Sequence, residues 1–287
     1  MRLAVSSGPL PDDIDAVDAR LAAKVRELGF TGVGVHFGAV AGSDPAELDT
    51  ARCRRAREIL AAHGVAIVQS WAFGANLAAP DARGQVGRLQ ESVRVAADLG
   101  APTVICGPGS RNPRGLYWPH PDNHAPETLE RLVARLREAA KAAEHHGIAI
   151  ALEPHVATAL DTPKRAREVV DAVGSPGVRV NLDPVNFVGD LRTLFDAEPL
   201  LDRVFAALAG VATSGHVKDV YAEERLVVHL SETLIGDGSF PIASYLRRFE
   251  QALPDAYLIV EHLPEELVAQ AKAALDELCA EERITLR

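Results

Sequence analysis

Short apolar runs alternate along the chain with longer stretches whose apolar residues recur at helical spacing. Residues 3–5 read as a first strand. Residues 14–28 follow as a helix, with Ile14, Val17, Leu21, Val25 and Leu28 on one face and Gly29 as a C-cap signal. Residues 32–37, 65–70 and Thr103–Cys106 read as the next three strands. The pair Asp44-Pro45, an N-cap and first-turn proline, opens a helix that runs to about His63. Pro80-Asp81 opens another, which ends near Leu99 before Gly100. Residues 107–125 form a long connection holding Tyr117, Trp118, His120 and His124 among turn residues, which favours a lid or pocket wall. Pro126–His146 is the longest helix, closed by Gly147.

A fifth strand follows, then a helix opened by Thr162-Pro163 and ended by Gly174. Val178–Leu182 is the sixth strand, and a helix falls near residues 194–208. Residues 210–215 are a weak, glycine-flanked strand, residues 239–253 a helix, Tyr257–Val260 a strand and residues 264–280 a closing amphipathic helix. Eight strand–helix pairs predict a parallel sheet with right-handed crossovers. That number favours one closed α/β barrel, a (β/α)₈ TIM barrel spanning residues 1–287 as a single domain. No G-x-G-x-x-G opens a helix after the first strand, so the dinucleotide-binding alternative lacks its fingerprint.

Four strands stop abruptly at a residue that carries chemistry. The run 148–152 ends at Glu153, followed by Pro154; later strands end at Asp183, His216 and Glu261. In a barrel the C-terminal strand ends face one mouth, so these four are expected to converge. Three carboxylates packed together need a positive charge between them. A divalent cation supplies it, and an oxygen-rich set with one imidazole suits Mn²⁺, Mg²⁺ or Co²⁺ better than a structural zinc.

Composition narrows the classes. The chain has 287 residues, 47 % of them apolar, and a formal net charge of −10 with a pI near 5.5. That balance argues against a nucleic-acid partner, whose phosphates need a basic face. Cys53, Cys106 and Cys279 are odd in number and widely spaced, as in reduced cytoplasmic proteins. The first ten residues are too short in their apolar part for a signal peptide, and no apolar run approaches the roughly 20 residues of a membrane helix. A cytoplasmic protein with no membrane contact is expected.

The motifs Leu152-Glu153-Pro154-His155, Asn181-Leu182-Asp183-Pro184-Val185-Asn186, His216-Val217-Lys218-Asp219 and Val260-Glu261-His262 resemble the xylose-isomerase-like TIM barrels. These form the sugar phosphate isomerase/epimerase group, which includes ketose 3-epimerases, hydroxypyruvate isomerase and inosose dehydratase. The resemblance covers essentially the whole chain. It implies that Glu153, Asp183, His216 and Glu261 ligate a metal, usually Mn²⁺, and that Glu153 and Glu261 are the acid/base pair. Such a site removes a proton beside a carbonyl, through an enediolate, and returns it. Epimerisation and isomerisation of a small sugar or polyhydroxy carbonyl compound lead. Dehydration or lyase chemistry on a sugar or inosose is second, and a non-catalytic sugar-binding barrel is the rival from another class. An apurinic endonuclease of the same fold needs more histidine ligands and a basic groove than this chain offers.

Asn186 stands where ketose 3-epimerases commonly carry a histidine, and Ala222 where they carry an arginine; both normally touch the sugar. The departure points away from a 3-epimerase of free ketohexoses. Lys218 looks more like the isomerase and dehydratase branches, where a lysine binds a substrate oxygen; its alternative is an ion pair with Asp219. His155, two residues past Glu153, is expected to turn the same way. His36 and Trp71 follow the second and third strands and should edge the mouth. With Asn186 and Lys218 they complete the substrate-binding candidates. Gly236-Asp237-Gly238 reads as a tight turn, with a phosphate loop as the alternative. His145-His146 fits a solvated helix end. The exposed side of the last helix suits a homodimer or simple barrel cover equally.

Overall fold

Eight strands, each four to six residues long, close into one parallel ring. They are β1 (Arg2–Ser6), β2 (Gly32–Val35), β3 (Ala66–Trp71), β4 (Thr103–Cys106), β5 (Ala149–Leu152), β6 (Val178–Leu182), β7 (Ala212–Val217) and, after a hairpin, β10 (Tyr257–Val260). Around the ring the order is β1-β10-β7-β6-β5-β4-β3-β2, the (β/α)₈ TIM barrel. The computed structural model describes residues 1–6, 8–38, 43–80 and 84–287.

Helices cover the ring: α1 (Ala19–Glu27), α2 (Thr50–Ala62), α3 (Gln85–Leu99), α4 (Pro126–His146), α5 (Pro163–Val173), α6 (Leu191–Phe195), α7 (Glu198–Leu208), α8 (Ile242–Ala252) and α9 (Glu265–Glu281). Among the described residues none is long and apolar enough to cross a membrane. Their local chemistry starts and stops them where strands must begin. After α4, Gly147 takes a left-handed φ of 67°, and Ile148 N–H reaches back to the Ala143 carbonyl at 3.0 Å, which launches β5. The strands are apolar and near-continuously buried, as expected of a parallel sheet covered by helices.

Several boundaries differ from the pattern reading, for local reasons. The stretch 14–28 splits into a 3₁₀ turn, Ile14–Ala16, and α1, because Asp18 turns out and caps α1 by accepting from Leu21 N–H at 2.8 Å. Asp44-Pro45 opens only a 3₁₀ turn, Pro45–Glu47; α2 starts afresh at Asp49, which accepts from Ala51 and Arg52. The start at Pro80-Asp81 falls partly outside the described residues, and α3 begins at Gln85. The helix near 194–208 is two helices, and α8 begins at Ile242, not at residue 239. β7 extends to Val217, so His216 lies within the strand and not past its end.

Sequence patterning misses one element. β8 (Asp219–Ala222) and β9 (Leu230–Thr233) form an antiparallel hairpin beyond β7, at the mouth. Its register sets Val220 opposite Glu232.

Candidate metal centre and active site

Strand register brings the four chemical tips level. Leu182 pairs with Gly215, so Asp183 stands beside His216. Ile259 pairs with His216 and Val260 with Val217, so Glu261 comes level with Lys218, two residues up the same face. Glu153 follows β5, held in line by its N–H to the Cys106 carbonyl at 3.0 Å. One potential ligand atom from each of Glu153, Asp183, His216 and Glu261 lies within 4.8 Å of the others, and all four residues are buried.

His216 Nδ1 is the hub. It lies 2.7 Å from Glu153 Oε1, 2.8 Å from Glu261 Oε2 and 3.9 Å from Asp183 Oδ2. Lys218 Nζ is 2.8 Å from both Asp183 Oδ2 and Glu261 Oε1. The contacts are short but several are poorly aligned: both Asp183 oxygens, Glu261 Oε2 and His216 Nδ1 lack a well-formed hydrogen bond. Buried polar atoms are normally satisfied, so this convergence of lone pairs fits a cation bound among them. The donor set, three carboxylates and one imidazole, suits a hard divalent ion.

Without an ion, the buried charges compensate one another. Burial favours the neutral carboxyl of Asp183, which is pushed up to about 6 despite Lys218. Burial would lower His216, but the charges of Glu261 and Glu153 outweigh it and raise the imidazole to about 10. Burial opposes ionisation of Glu153 and Glu261 too, yet the His216 charge holds both below the usual carboxylate range. Burial disfavours the Lys218 ammonium, and the Asp183 and Glu261 carboxylates more than restore it.

Supports surround the hub. The Gln69 carboxamide closes on His216 Nε2, its nitrogen at 2.9 Å and its oxygen at 3.4 Å. A Cβ on Gly34 would lie 2.9 Å from Gln69 Cγ, so the glycine of β2 makes room for this side chain. Tyr245 O–H, from α8, donates to the Leu182 and His216 carbonyls at 3.1 and 3.0 Å. A Cβ on Gly215 would lie 2.6 Å from that hydroxyl, which explains the glycine in an otherwise weak strand.

Above the cluster opens a chamber of about 970 Å³. All five substrate-binding candidates, His36, Trp71, His155, Asn186 and Lys218, line it, as does Glu153. The Trp71 ring lies 4.8 Å from that of His36 and 6.4 Å from that of His216. Burial lowers His36 to about 4, so it meets the chamber as neutral imidazole. Tyr117, from the long loop, donates its hydroxyl to Glu153 Oε2 at 2.8 Å, and burial beside Glu153 raises its pKa.

Two of the alternatives fall away, and one further residue joins the site. Lys218 pairs with Asp183 and Glu261, not with Asp219. Asp219 instead accepts from the N–H groups of Gly236 and Gly238, so the Gly236-Asp237-Gly238 turn spends those donors on a carboxylate and has none of them left for a phosphate. Glu232 was not legible as a site residue. The hairpin sets it 3.8 Å from Lys218 and 3.0 Å from His262 Nδ1, while His262 Nε2 lies 3.7 Å from Glu261. His262 takes a left-handed φ of 59° to reach this place, a strained backbone of the kind found at functional sites. Ala222 lies on the hairpin and does not line the chamber.

A family model described as xylose isomerase-like TIM barrel matches residues 22–278. Among solved structures, a D-tagatose 3-epimerase-like protein superposes with a TM-score of 0.75 at 18% identity, covering 99% of this chain and 98% of its own. A xylose isomerase-like TIM barrel protein from Mycobacterium smegmatis, in complex with magnesium, gives 0.73 at 16% identity over 99% and 98%. The probable 3-DHS dehydratase of Bacillus anthracis gives 0.73 at 14% identity over 96% and 99%. No curated protein matches the chain by sequence.

Proposed function

Because the chain belongs to the xylose isomerase-like TIM barrel family, we propose that it is a divalent-metal-dependent isomerase or epimerase of a small sugar or polyhydroxy carbonyl compound. The observation that carries this is the buried convergence of Glu153, Asp183, His216 and Glu261, with unsatisfied lone pairs, beneath an open chamber. These four would hold the ion, with Mn²⁺ first and Mg²⁺ or Co²⁺ as alternatives; the similar magnesium complex supports a hard divalent ion. When bound, the ion polarises a carbonyl and its neighbouring hydroxyl, which acidifies the C–H between them.

The chain's own groups do the rest. Glu153 and Glu261 come from β5 and β10 and approach His216 Nδ1 at 2.7 and 2.8 Å. In this reading one takes the proton from the substrate carbon and the other returns it on the opposite face, through an enediolate. Tyr117, bonded to Glu153 at 2.8 Å, orients that carboxylate and screens it from water. His155, Asn186, His36 and Trp71 seat the hydroxyls and ring faces of the substrate.

A second reading is dehydration of a sugar or inosose on the same residues. Lys218 favours it: an ammonium 2.8 Å from Glu261 can hydrogen-bond a departing hydroxyl and stabilise its negative charge. The dehydratase among the similar folds supports keeping it.

Metal content by elemental analysis, with melting temperature in EDTA and after Mn²⁺ return, tests the metal requirement for wild type and Glu153→Gln. About one ion per chain and a stabilisation weakened in the variant are expected. Proton exchange from ketoses, hydroxypyruvate and inososes in D₂O then identifies the substrate, and recovery of a deuterated isomer or of a product that has lost water separates epimerisation from dehydration. A chain that takes up no Mn²⁺, Mg²⁺ or Co²⁺ is a binding barrel instead.

A further inference from the structure

The chamber has two ends of opposite character. Buried Glu153, Asn186 and Lys218 make its floor polar, with His155 beside them and the half-exposed Glu232 and His262 at its rim. Leu10, Pro11, Trp118, Leu263 and Pro264 add apolar surface to its wall, beside the exposed Asp12. At about 970 Å³ it falls in the range of roughly 300–1,000 Å³ that encloses drug-sized ligands, far more than one hexose ring fills. A smaller cavity of about 460 Å³ adjoins it, and Lys218, Glu232 and His262 line both.

Trp118 decides what the outer end is for. The residue is 52 % exposed, so the core does not hold it. The backbone beside it is nevertheless pinned. Ser110 Oγ donates to the Trp118 carbonyl at 2.6 Å, and Asn112 donates to the Pro119 carbonyl at 2.9 Å. Buried Asn123 ties the same loop to the Ala157 carbonyl at 3.0 Å. The Arg114 guanidinium lies 5.6 Å from the indole. A Cβ on Gly115 would lie 2.7 Å from Trp118 Cδ1, so the loop leaves the ring its place by omitting a side chain. A large apolar ring on a pinned backbone in a solvated mouth offers a stacking face.

We propose that the chamber is built for a two-ring substrate. A polyhydroxylated carbonyl moiety sits on the charged floor, and a second ring presents an apolar face to Trp118. This rests on the sugar isomerase/epimerase reading and names its substrate class. The second ring is either an aryl group or the C–H face of another sugar, since both stack on an indole.

Calorimetric titration of the metal-loaded full chain distinguishes these. The ligands are D-fructose, its O-benzyl ethers, and the keto-disaccharides turanose, leucrose and isomaltulose, which vary the linkage. At least one two-ring ligand should bind ten times or more tighter than fructose. Trp118→Ala should bring that ratio to within twofold of one, and Trp118→Phe should retain part of it. A benzyl preference identifies an aryl group, and a disaccharide preference identifies a second sugar. Metal uptake with fructose bound as tightly as every two-ring ligand, or with nothing bound, overturns this inference and leaves the metal centre standing. Failure to take up metal sinks the reading beneath it as well.

Discussion

Lys218 and Asp219 are neighbours in the chain and serve opposite sides of the same wall. Lys218 Nζ turns into the barrel mouth, 2.8 Å from Asp183 and 2.8 Å from Glu261. The Asp219 carboxylate turns away and accepts from the N–H groups of Val220, Gly236, Gly238 and Phe240 at 2.8 to 3.2 Å. One residue supplies charge to the site, and the other ties down the loop that leads from the hairpin into α8. A Cβ on Gly238 would lie 2.1 Å from Asp219 Oδ1, so the loop wraps its anchor as closely as backbone allows.

Lys218→Met removes a cation from between two buried carboxylates. Breaking a buried pair from one side costs about 3–5 kcal/mol, so the metal-free variant should melt well below wild type. With one positive charge fewer, the cluster attracts a divalent ion more strongly. The stabilisation on Mn²⁺ return should therefore exceed that of wild type, as read by thermal melts in EDTA and in Mn²⁺. An equal or smaller gain would show that Lys218 does not balance the cluster.

Gln69 lies behind the hub and is the acceptor available to His216 Nε2–H when Nδ1 faces the carboxylates. Loss of such a partner typically lowers metal affinity about 10–100-fold. Gln69→Leu keeps the volume and removes the acceptor. Competition with a chelator of known affinity should show that weakening, and unchanged affinity would assign Gln69 to packing alone.

Metal uptake should expel a proton. In the metal-free protein His216 titrates near 10, because Glu261 and Glu153 outweigh the effect of its burial. A metal needs the Nδ1 lone pair, so below that pH the proton must leave. Apparent affinity should rise with pH, by up to about tenfold per unit, and level off near 10. Proton release is measurable by calorimetry in buffers of different ionisation enthalpy. The same shift stabilises the metal-free fold. Because the folded pKa is raised above 6.5, this contribution is full below that value and is lost as pH climbs through about 10. A pH-independent affinity would contradict a protonated hub.

Tyr245→Phe deletes one hydroxyl and little volume. It leaves the Leu182 and His216 carbonyls without their shared buried donor, a loss worth about 1–3 kcal/mol. Urea denaturation should show the lower midpoint with an unchanged slope. The carbonyls belong to the strand ends that present Asp183 and His216, so metal affinity should fall too. A change in stability without one in affinity would confine Tyr245 to the fold.

The barrel and its four chemical tips were legible because both are local signals. An apolar run that stops at a charge, a proline after a cap and a glycine at a helix end each act within a few residues. Glu153, Asp183, His216 and Glu261 could be named that way, and so could His36, Trp71 and His155 beside strand ends, whereas Asn186 and Lys218 were named through the resemblance to the family. Helix breaks at Asp18 and Asp49 were less legible, since a continuous apolar stripe hides a cap in its middle.

What tertiary structure alone decided is direction and distance. Side chains alternate along a strand, so a shift of one residue sends each to the other face. The barrel contains such irregularities between Val33 and Gly34 and between Val180 and Asn181, the second just before Asp183. Ring closure sets them, and no local pattern records them. Closure likewise determines that Lys218 enters the site while Asp219 leaves it, that Gln69 crosses the barrel to His216, and that the hairpin carries Glu232 to the mouth. Lys218 and Glu261 lie 43 residues apart in sequence, Glu232 and His262 30, and Gln69 and His216 147. The chain's pattern determined which residues could do chemistry; the packing of a closed barrel decided which of them meet.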